Sequence, residues 1–403
     1  MSKNWVKGKW FVSPYNYLPE IWKDFNPSER FELHDITLRD GEETSGVVFD
    51  KYDKLKIAEA LNELGIKRIE LGLFISPDDP EALEAVAEAG LEADIYTIFR
   101  FNKKEGIDIA LKCDVKNITL SAPSSEVLIK YDYKLTREDV INRTIENMDY
   151  AKDHGLHVNL FLIDTFRTEW DQLINFIKKG EEGGAEAIIL VDTFGVASPP
   201  AVFYLVKRVK EEVSIPVELH VHNDYGLATA NALSGYVAGV DAVHVSVNGL
   251  GLRCGNPALE EVALSLKTLY GLDLKINYEK LYEVCKLVEE ISGIELSKNK
   301  PIVGDYAFAR EPFRVIKRLE DAGIPEAAFP FHPSIVGQKS EVILAKWSDE
   351  TAVKVKLKEL GLSISEDRIP KILERIKKLS LAKKSYVTDK EFMEMIEEAT
   401  RMD

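Results

Sequence analysis

The chain has 403 residues, 45% of them hydrophobic, and a formal net charge of -16 at pH 7. A chain of this length and hydrophobic content is enough for one large domain with an appended region. The acidic charge argues against a nucleic-acid partner, because phosphate binding requires concentrated Lys and Arg. The start, MSKNWVKGKW, holds no apolar segment of signal-peptide length, and no apolar run approaches the about 20 residues of a membrane helix. Three cysteines without a CxxC spacing fit a reducing compartment, so we expect a cytoplasmic protein with no membrane partner.

Residues 1–30 are predicted to form an N-terminal aromatic arm. They contain Trp5, Trp10, Tyr15, Tyr17 and Trp22, a density of aromatic side chains too high for a free tail. We expect the arm to pack on the next domain or on a partner subunit.

Short β-branched segments alternate with longer helical patterns over residues 31–271, which is typical of repeated βα units. The eight predicted strands cover residues 31–38, 67–74, 94–101, 115–122, 157–165, 186–192, 216–222 and 241–247. Helices are predicted at 51–64, 81–89, 136–154, 168–181, 199–212 and 227–238. Eight strands favour a closed parallel barrel, because at that number the inward side chains fill the interior. We therefore predict an α/β fold with a (β/α)8 barrel.

The remaining residues, 272–403, are predicted to form a mainly helical C-terminal region. Its helices are expected at 278–291, 307–322, 349–360, 365–378 and 389–400. The aromatic arm and this region both need a surface on which to bury apolar side chains, so we expect a homodimer.

A metal site is predicted at the carboxyl ends of the strands, where barrels of this kind carry their chemistry. His220 and His222 lie two residues apart on the seventh strand, so both imidazoles face one side and can reach one ion. Asp40 follows the first strand and can complete the site from across the barrel. Two nitrogens and a carboxylate leave positions open for substrate oxygens or water, as a Lewis-acid site requires. The alternative is a pair of buried, hydrogen-bonded histidines.

Two neighbouring features extend this site. Arg39 can donate to an oxygen that gains charge in an enolate or alkoxide, although a surface salt bridge is the alternative. The loop GLGLRCGN at 249–256 follows the eighth strand, and its glycines permit close approach of the backbone to a ligand. Asn256 at its end can add a direct or water-mediated contact to the metal.

Four motifs at these positions resemble the DRE-TIM metallolyase superfamily. They are TLRDGE at 37–42, DTFGVASP at 192–199, HVHNDYG at 220–226 and GNPALEE at 255–261. Within it the chain is most similar to the isopropylmalate, homocitrate and citramalate synthases, with the Re-citrate synthases as a further branch. The resemblance covers the barrel and continues more loosely into residues 272–403, which would be the linker subdomains.

The resemblance implies a Claisen condensation of acetyl-CoA with a 2-oxo acid, an acyl transfer of amino-acid biosynthesis that releases CoA and an alkylmalate-type product. It implies a divalent metal, Mg2+, Mn2+ or Zn2+, with contacts from Asp40, His220, His222 and Asn256. It further places Arg39 beside the substrate ketone, makes Glu70 a catalytic residue and has Thr193 contact the substrate.

The chain departs from the family pattern at the residues that transfer protons. Ile163 stands where the family has a glutamate, and Arg310 stands where it has a histidine, and these two normally form an acid/base pair. Candidates for a replacement base are His244, Cys254 and Glu43, although a lone histidine on a strand more often belongs to the core.

The size and charge of the acceptor would be set by side chains on strands two to five, which include Leu73, Arg100, Ser121 and Asn159. Of these, Arg100 and Asn159 are predicted to bind substrate. An inward-pointing Arg100 would favour an acceptor with a second carboxylate.

Two alternatives to a synthase remain at this point. Lyases and aldolases of the superfamily, which cleave 3-hydroxy-3-methylglutaryl-CoA or 4-hydroxy-2-oxo acids, use the same metal triad. One of them uses a loop cysteine as its acid, but Cys254 lies only two residues before Asn256, which does not fit that position. The other alternative is a non-catalytic homologue that only binds a ligand.

Overall fold

A computed structural model describes residues 3–72 and 78–401 of the chain. Leu73, an expected determinant of acceptor size, lies outside the described residues. The chain forms two compact units. One runs from Leu18 to Leu296, and the other combines the chain up to Tyr17 with the chain from Ser297 onward. These limits differ from the boundaries expected from sequence, which lie after residues 30 and 271.

The first unit contains the predicted barrel, and all eight strands are confirmed. Barrel strands 1 to 8 are Glu32–Asp35, Arg68–Gly72, Asp94–Arg100, Asn117–Pro123, His157–Ile163, Ala187–Asp192, Val217–Val221 and Ala242–Val245. Each pairs in parallel with the next, and strand 8 pairs with strand 1, where His244 lies opposite His34. The barrel is therefore closed, and its strands all end at one rim.

A helix follows every barrel strand. The helices are Lys51–Leu64, Asp79–Ala87, Lys104–Lys112, Arg137–Asp153, Trp170–Glu182, Pro199–Lys210, Ala228–Ala238 and Leu259–Ser265. Arg137–Asp153 begins with a capping box, in which Thr136 and Asp139 each accept a hydrogen bond from the other's backbone N–H. A further helix, Leu281–Ser292, completes this unit.

The helix Lys104–Lys112 is absent from the sequence prediction because it is short and contains Gly106, a poor helix former. The structure shows what the glycine provides. A Cβ atom at this position would lie 2.1 Å from Cδ1 of Phe99 on barrel strand 3. Only glycine allows the helix to approach the strand this closely.

The second unit is mainly helical, with Arg314–Asp321, Glu350–Glu359, Ile369–Lys383 and Asp389–Arg401. The helix predicted at 307–322 is wrong in its first half. Ala309–Arg310 is a short strand that pairs in parallel with Glu341–Val342. Pro312 explains the difference, because the residue before a proline is disfavoured in a helix.

The aromatic arm is not one element, which corrects the expectation of a single arm. A hairpin of Trp5–Val6 and Trp10–Phe11 belongs to the second unit, where the Trp5 indole donates to Glu326 Oε1 at 2.7 Å. Trp22 belongs instead to the barrel unit, and its ring lies 6.3 Å from that of Tyr270. None of the helices within residues 3–72 and 78–401 combines the length and apolar character needed to span a bilayer.

One buried carboxyl of the barrel should make the stability of the protein depend on pH. Asp35, at the end of barrel strand 1, is fully buried, and its carboxylate accepts hydrogen bonds from the N–H and hydroxyl of Thr37 at 2.9 and 3.0 Å. Burial raises its pKa from 3.8 to about 7 against the lowering effect of those hydrogen bonds. Because the pKa is higher in the folded state, the folded state loses stability as the pH rises from about 4 to about 7.

Asp35→Asn should remove this pH dependence. Each unit of pKa shift corresponds to about 1.4 kcal/mol, so the free energy of unfolding of the variant should gain up to about 4 kcal/mol on the wild type between pH 4 and pH 8. Urea denaturation across this range measures the difference. Asp114→Asn, at an exposed position, is the control and should follow the wild type. Parallel pH profiles for wild type and Asp35→Asn would contradict the prediction.

Candidate metal centre

Asp40, His220 and His222 meet at the carboxyl-terminal rim of the barrel. Asp40 Oδ2 lies 3.2 Å from His220 Nε2 and 3.4 Å from His222 Nε2, and all three side chains are buried. Two ligands bonded to one ion at about 2.1 Å with tetrahedral angles lie about 3.4 Å apart. The spacing of the three donors therefore fits a shared divalent ion.

The fold fixes the direction of each imidazole. Barrel strand 7 ends at Val221, so His220 points into the barrel and His222 follows at the rim on the same side. His222 Nδ1 lies 3.2 Å from the backbone oxygen of Asp192, which leaves its Nε2 directed toward Asp40. Neither ring nitrogen of His220 has a hydrogen-bond partner among the described residues. A buried imidazole with no such partner is suited to binding a metal.

Asn256 contributes a fourth donor. Its amide nitrogen donates to the backbone oxygen of Val221 at 3.2 Å, and its Oδ1 is buried with no hydrogen-bond partner in the part of the chain that the structure describes. A Cβ at Gly251 would lie 1.9 Å from this oxygen and 3.1 Å from Asp40 Oδ1. The glycine thus keeps open the space beside both oxygens. The residues present fit a divalent ion with one carboxylate, two imidazoles and one amide oxygen.

Arg39 is held in the same site by two carboxylates. Its Nε donates to Glu70 Oε1 and its Nη1 donates to Asp40 Oδ2, both at 2.8 Å. Thr119 donates to the other Glu70 oxygen at 2.9 Å, which fixes that carboxylate in turn. Arg39 Nη2 is buried and has no hydrogen-bond partner among residues 3–72 and 78–401. The guanidinium therefore keeps one N–H group available for a substrate oxygen.

Both carboxylates remain ionised. Burial by itself raises the pKa of Asp40, but Arg39 and the two histidines outweigh it and hold the pKa well below its usual range. Burial also acts to raise the pKa of Glu70, and the Arg39 guanidinium reverses this and brings the pKa to about 2. Glu70 thus acts as the ionised partner that orients Arg39. Its geometry gives it a positioning role.

A lower layer of polar side chains lies beneath the metal ligands, and the sequence reasoning missed most of it. His34 and His244 stack with ring centres 4.4 Å apart, and His244 Nε2 lies 3.2 Å from Glu218 Oε2. Arg68 Nη1 lies 2.8 Å from the other Glu218 oxygen, and this guanidinium outweighs burial to hold the pKa of Glu218 well below its usual range. The sequence signal was the placement of charged residues and histidines inside strands, as in FELHD and VELH.

His34, Glu218 and His244 also have donor atoms close enough together to hold a metal ion. The ion pair with Arg68 already compensates the charge of Glu218, which argues against a second cation here. The ring of His244 lies 5.4 Å from that of His220, and His244 is fully buried. The structure therefore places His244, a predicted catalytic base, below the metal ligands in the barrel interior.

Asn159 lies at the wrong end of the barrel for its predicted role in substrate binding. It lines a cavity of about 880 Å³ at the amino-terminal rim together with Arg68, Tyr96 and Glu218. Asn159 faces the interior as expected, but it lies near the start of barrel strand 5, while the metal ligands lie at strand ends. This is a correction to the predicted substrate contacts. Arg100 ends barrel strand 3 on the same face as the interior residue Ile98 and is exposed.

The loops above the metal ligands hold two further predicted residues. Thr193 Oγ1 accepts a hydrogen bond from the backbone N–H of Asp164 at 2.8 Å, so its hydroxyl hydrogen can still be donated to a ligand. Arg253 donates to both carboxylate oxygens of Asp224, at 2.8 and 2.9 Å, and ties the loop at 249–256 to the residues after strand 7. Cys254, next to Arg253, is exposed.

Among the candidate bases, Glu43 lies near Arg39. Its Oε1 is 3.8 Å from Arg39 Nη1, and the side chain is 30% exposed. Burial raises the pKa of Glu43, while the nearby Arg39 opposes the rise. Ile163, at the position of the family glutamate, packs against an apolar cluster that includes Phe161 and Ile189. Position 163 therefore carries no titratable side chain, whereas a partly buried carboxylate lies at position 43.

We expect His222→Ala to lower the affinity of the metal-free protein for Zn2+ and Mn2+ by at least about 100-fold, because it removes one direct ligand. Isothermal titration calorimetry measures this without any substrate. His154→Ala, which changes an exposed histidine after the helix Arg137–Asp153, is the matched control. Equal affinities for the two variants would argue against the site.

Glu218→Gln should destabilise the protein by about 3–5 kcal/mol, because it leaves the buried guanidinium of Arg68 without its anion. Glu212→Gln is the control. It breaks an exposed pair with Lys178 and should change the free energy of unfolding by less than about 1 kcal/mol. Urea denaturation compares the two, and similar losses would mean that the lower layer contributes no more than a surface ion pair.

The chain is similar to known proteins over most of its length. Residues 30–288 match the HMGL-like family. The chain is 37% identical over 390 residues to a homocitrate synthase of Methanothermobacter thermautotrophicus, which covers 96% of this chain and 97% of that protein. It is 40% identical over 370 residues to an (R)-citramalate synthase of Methanocaldococcus jannaschii, covering 91% of this chain and 74% of that protein. A 2-isopropylmalate synthase of the same organism is 38% identical over 384 residues, covering 93% and 73%.

Solved structures share the fold at lower identity. The Bacillus subtilis HMG-CoA lyase superposes with a TM-score of 0.61 at 20% identity, over 68% of this chain and 96% of that one. This likeness concerns the barrel fold alone. The match over residues 30–288, together with relatives similar over more than nine-tenths of the chain, shows that the protein belongs to the HMGL-like family.

Proposed function

We propose that the protein condenses acetyl-CoA with a 2-oxo acid, and that water then hydrolyses the thioester of the product, which releases CoA and an alkylmalate-type acid. The observation that carries the proposal is the free Nη2 of the buried Arg39 beside three metal donors. The relatives that match over most of the chain are synthases of homocitrate, citramalate and isopropylmalate, which supports a condensing enzyme.

The metal would be held by Asp40, His220 and His222, with Asn256 as a direct or water-mediated contact. When bound, a divalent ion supplies Lewis-acid polarisation of the 2-oxo acid. We propose Mg2+, Mn2+ or Zn2+, since a set of nitrogen and oxygen donors accepts each of them.

Arg39 donates from Nη2 to the ketone oxygen as negative charge develops there. A fixed guanidinium stabilises such charge well, because its donors need no reorganisation during the reaction. Glu70 keeps Arg39 in this orientation through the 2.8 Å hydrogen bond to Nε. Thr193 donates its hydroxyl hydrogen to the substrate carboxylate, and Arg100 at the rim favours an acceptor with a second negative charge.

Glu43 is the best-supported replacement for the family's base. It would take the proton from the methyl carbon of acetyl-CoA. A carboxylate with a raised pKa is a more effective base near neutral pH than an ordinary one, and its position next to Arg39 keeps it near the reacting atoms. His244 lies too deep for this task, and Cys254 is in an exposed loop.

We also propose a cytoplasmic homodimer in which residues 31–271 form the catalytic domain and residues 272–403 form linker subdomains. Exposed aromatic side chains in the second unit, such as Phe11 and Tyr15, support an association surface. Light scattering at micromolar concentration measures the oligomeric state, and a monomer would refute the dimer.

A thiol-release assay tests the reaction. The protein is incubated with acetyl-CoA, each of the three metals and a panel of 2-oxo acids, and CoA should appear only when both a metal and an acceptor are present. Glu43→Gln should lower kcat by about 100-fold or more with little change in KM, since general-base catalysis contributes about 10²–10⁴ to the rate. The control is Glu212→Gln, on an exposed surface.

The alternatives give different outcomes in the same experiment. Cleavage of a hydroxy acid or its CoA ester without acetyl-CoA would identify a lyase. Binding of metal and 2-oxo acid without any turnover would identify a non-catalytic homologue. An unchanged kcat in Glu43→Gln would reject Glu43 as the base and leave the condensation standing.

A further inference from the structure

The cavity at the amino-terminal rim of the barrel, which Asn159 lines, has no part in the metal centre. Its volume is about 880 Å³, and all of its lining residues belong to the unit from Leu18 to Leu296. None of the four metal donors is among them. Small-molecule sites occupy about 300–1,000 Å³, so the cavity has room for a ligand that does not contact the metal centre.

The side chain of Asn159 lacks a partner at this cavity. It is only 6% exposed, and its carboxamide forms no hydrogen bond with any of the described residues. A buried polar group that is left unpaired costs about 1–3 kcal/mol. Because Asn159 lines the cavity, a partner can reach it from there. The carboxamide therefore offers an acceptor oxygen and two N–H donors to a ligand.

Unpaired carboxylates lie at the mouth of the same cavity. Glu32 and Asp94 are the first residues of barrel strands 1 and 3. Residues two apart on a strand share a face, so Glu32 faces the same side as the buried His34, and Asp94 faces the same side as Tyr96. Both carboxylates line the cavity and are exposed, and so is Glu29. Within residues 3–72 and 78–401, none of the three carboxylates forms an ion pair.

Most of the positive charge at the cavity is already compensated. Arg68 pairs with Glu218 at 2.8 Å, and Lys210 pairs with Asp241 at 2.7 Å. Among the described residues, Arg30 is the one cation lining the cavity that has no ion pair. The three unpaired carboxylates outnumber it, so the cavity carries an excess of negative charge. A cleft lined by one sign of charge raises the local concentration of ions of the opposite sign.

We propose that this cavity binds a small organic diamine in its doubly protonated form. One ammonium group donates to Oδ1 of Asn159 inside the cavity, and the other is held by Glu32 and Asp94 at the mouth. Asn159 is the third residue of barrel strand 5, which places it about 6–7 Å from the start of that strand. A chain of about four methylene groups spans a length of this order.

The charges of the cavity select this class of ligand over others. An anionic ligand would be repelled by the unpaired carboxylates. A neutral ligand would satisfy Asn159 but would leave the carboxylates uncompensated. A diamine provides a partner for both, and the site depends neither on the metal nor on the proposed condensation.

Calorimetric titration of the full chain with putrescine, the four-carbon diamine, tests the site. EDTA is present, and acetyl-CoA and 2-oxo acids are absent. We expect binding at one site that weakens as the ionic strength rises, because salt screens exposed charges. Asn159→Leu and the double variant Glu32→Gln/Asp94→Asn should each weaken binding at least about tenfold.

Asp153→Asn is the matched control. Asp153 is an exposed carboxylate at the end of the helix Arg137–Asp153, just before barrel strand 5, and it does not line the cavity. This variant should bind putrescine as the wild type does. Because Glu32 and Asp94 are exposed, their double variant tests the site even if Asn159→Leu does not fold.

Two further titrants test the class of ligand. Butylamine and butanediol have the same chain length as putrescine with one or no ammonium group, and both should bind at least about tenfold more weakly. Absence of putrescine binding, or equal weakening by the control and the cavity variants, overturns the site. Equal affinity for butylamine or butanediol overturns the assignment to a diamine. Loss of thiol release in every condensation assay would leave each of these outcomes unchanged.

Discussion

A guanidinium buried between two ionised carboxylates determines how the interior of this barrel is built. Arg39 can lie there only because Glu70 and Asp40 both accept its hydrogen bonds at 2.8 Å. Removing any one of the three would leave an uncompensated charge in the buried interior, which is far more unfavourable than losing an exposed pair. The interaction also has a chemical result. Nε and Nη1 fix the orientation of the guanidinium, and Nη2 is left without a hydrogen-bond partner among the described residues.

The interior is organised as two layers of polar groups. The upper layer holds Arg39, Glu70 and the metal donors, and the lower layer holds Arg68, Glu218 and the two stacked histidines. Each layer contains one arginine paired with a buried carboxylate, so neither carries a large net charge by itself. The rings of His220 and His244 pack edge to face, so the lower layer contacts and supports a metal ligand. Such support resembles the outer partners that commonly orient metal-binding histidines.

Much of the barrel was predictable because its strands leave a local signal. Continuous β-branched runs separated by helical patterns gave all eight strands, and the spacing of His220 and His222 gave two metal donors. The sequence did not show at which end of its strand, and so of the barrel, a given side chain lies. Asn159 was correctly expected to face inward, but alternation specifies a face and does not specify an end of the barrel. The amino-terminal cavity that Asn159 lines depends on where eight separate strands begin, which is a property of the assembled sheet.

Other differences between the prediction and the structure depend on contacts between side chains that the sequence pattern does not link. Gly106 lowers the helix signal over 104–112, and the need for glycine comes from Phe99 on the neighbouring strand. Arg68 and Glu218 are separated by 150 positions in sequence, so their ion pair could not be inferred from spacing.

The hairpin of Trp5–Val6 and Trp10–Phe11 packs against residues that are synthesised much later. Its residues pair with the segment around residues 326–332, where the Trp10 backbone bridges to Phe331 and Lys9 accepts from the N–H of His332. A nascent chain emerges from its amino terminus, so the hairpin must wait for some 300 further residues before its partners are made. The barrel, whose residues all lie between, can close during that interval. Trp5 and Trp10 are therefore translated long before the residues that they pack against, and they lack these contacts on the nascent chain until the segment around residues 326–332 is made.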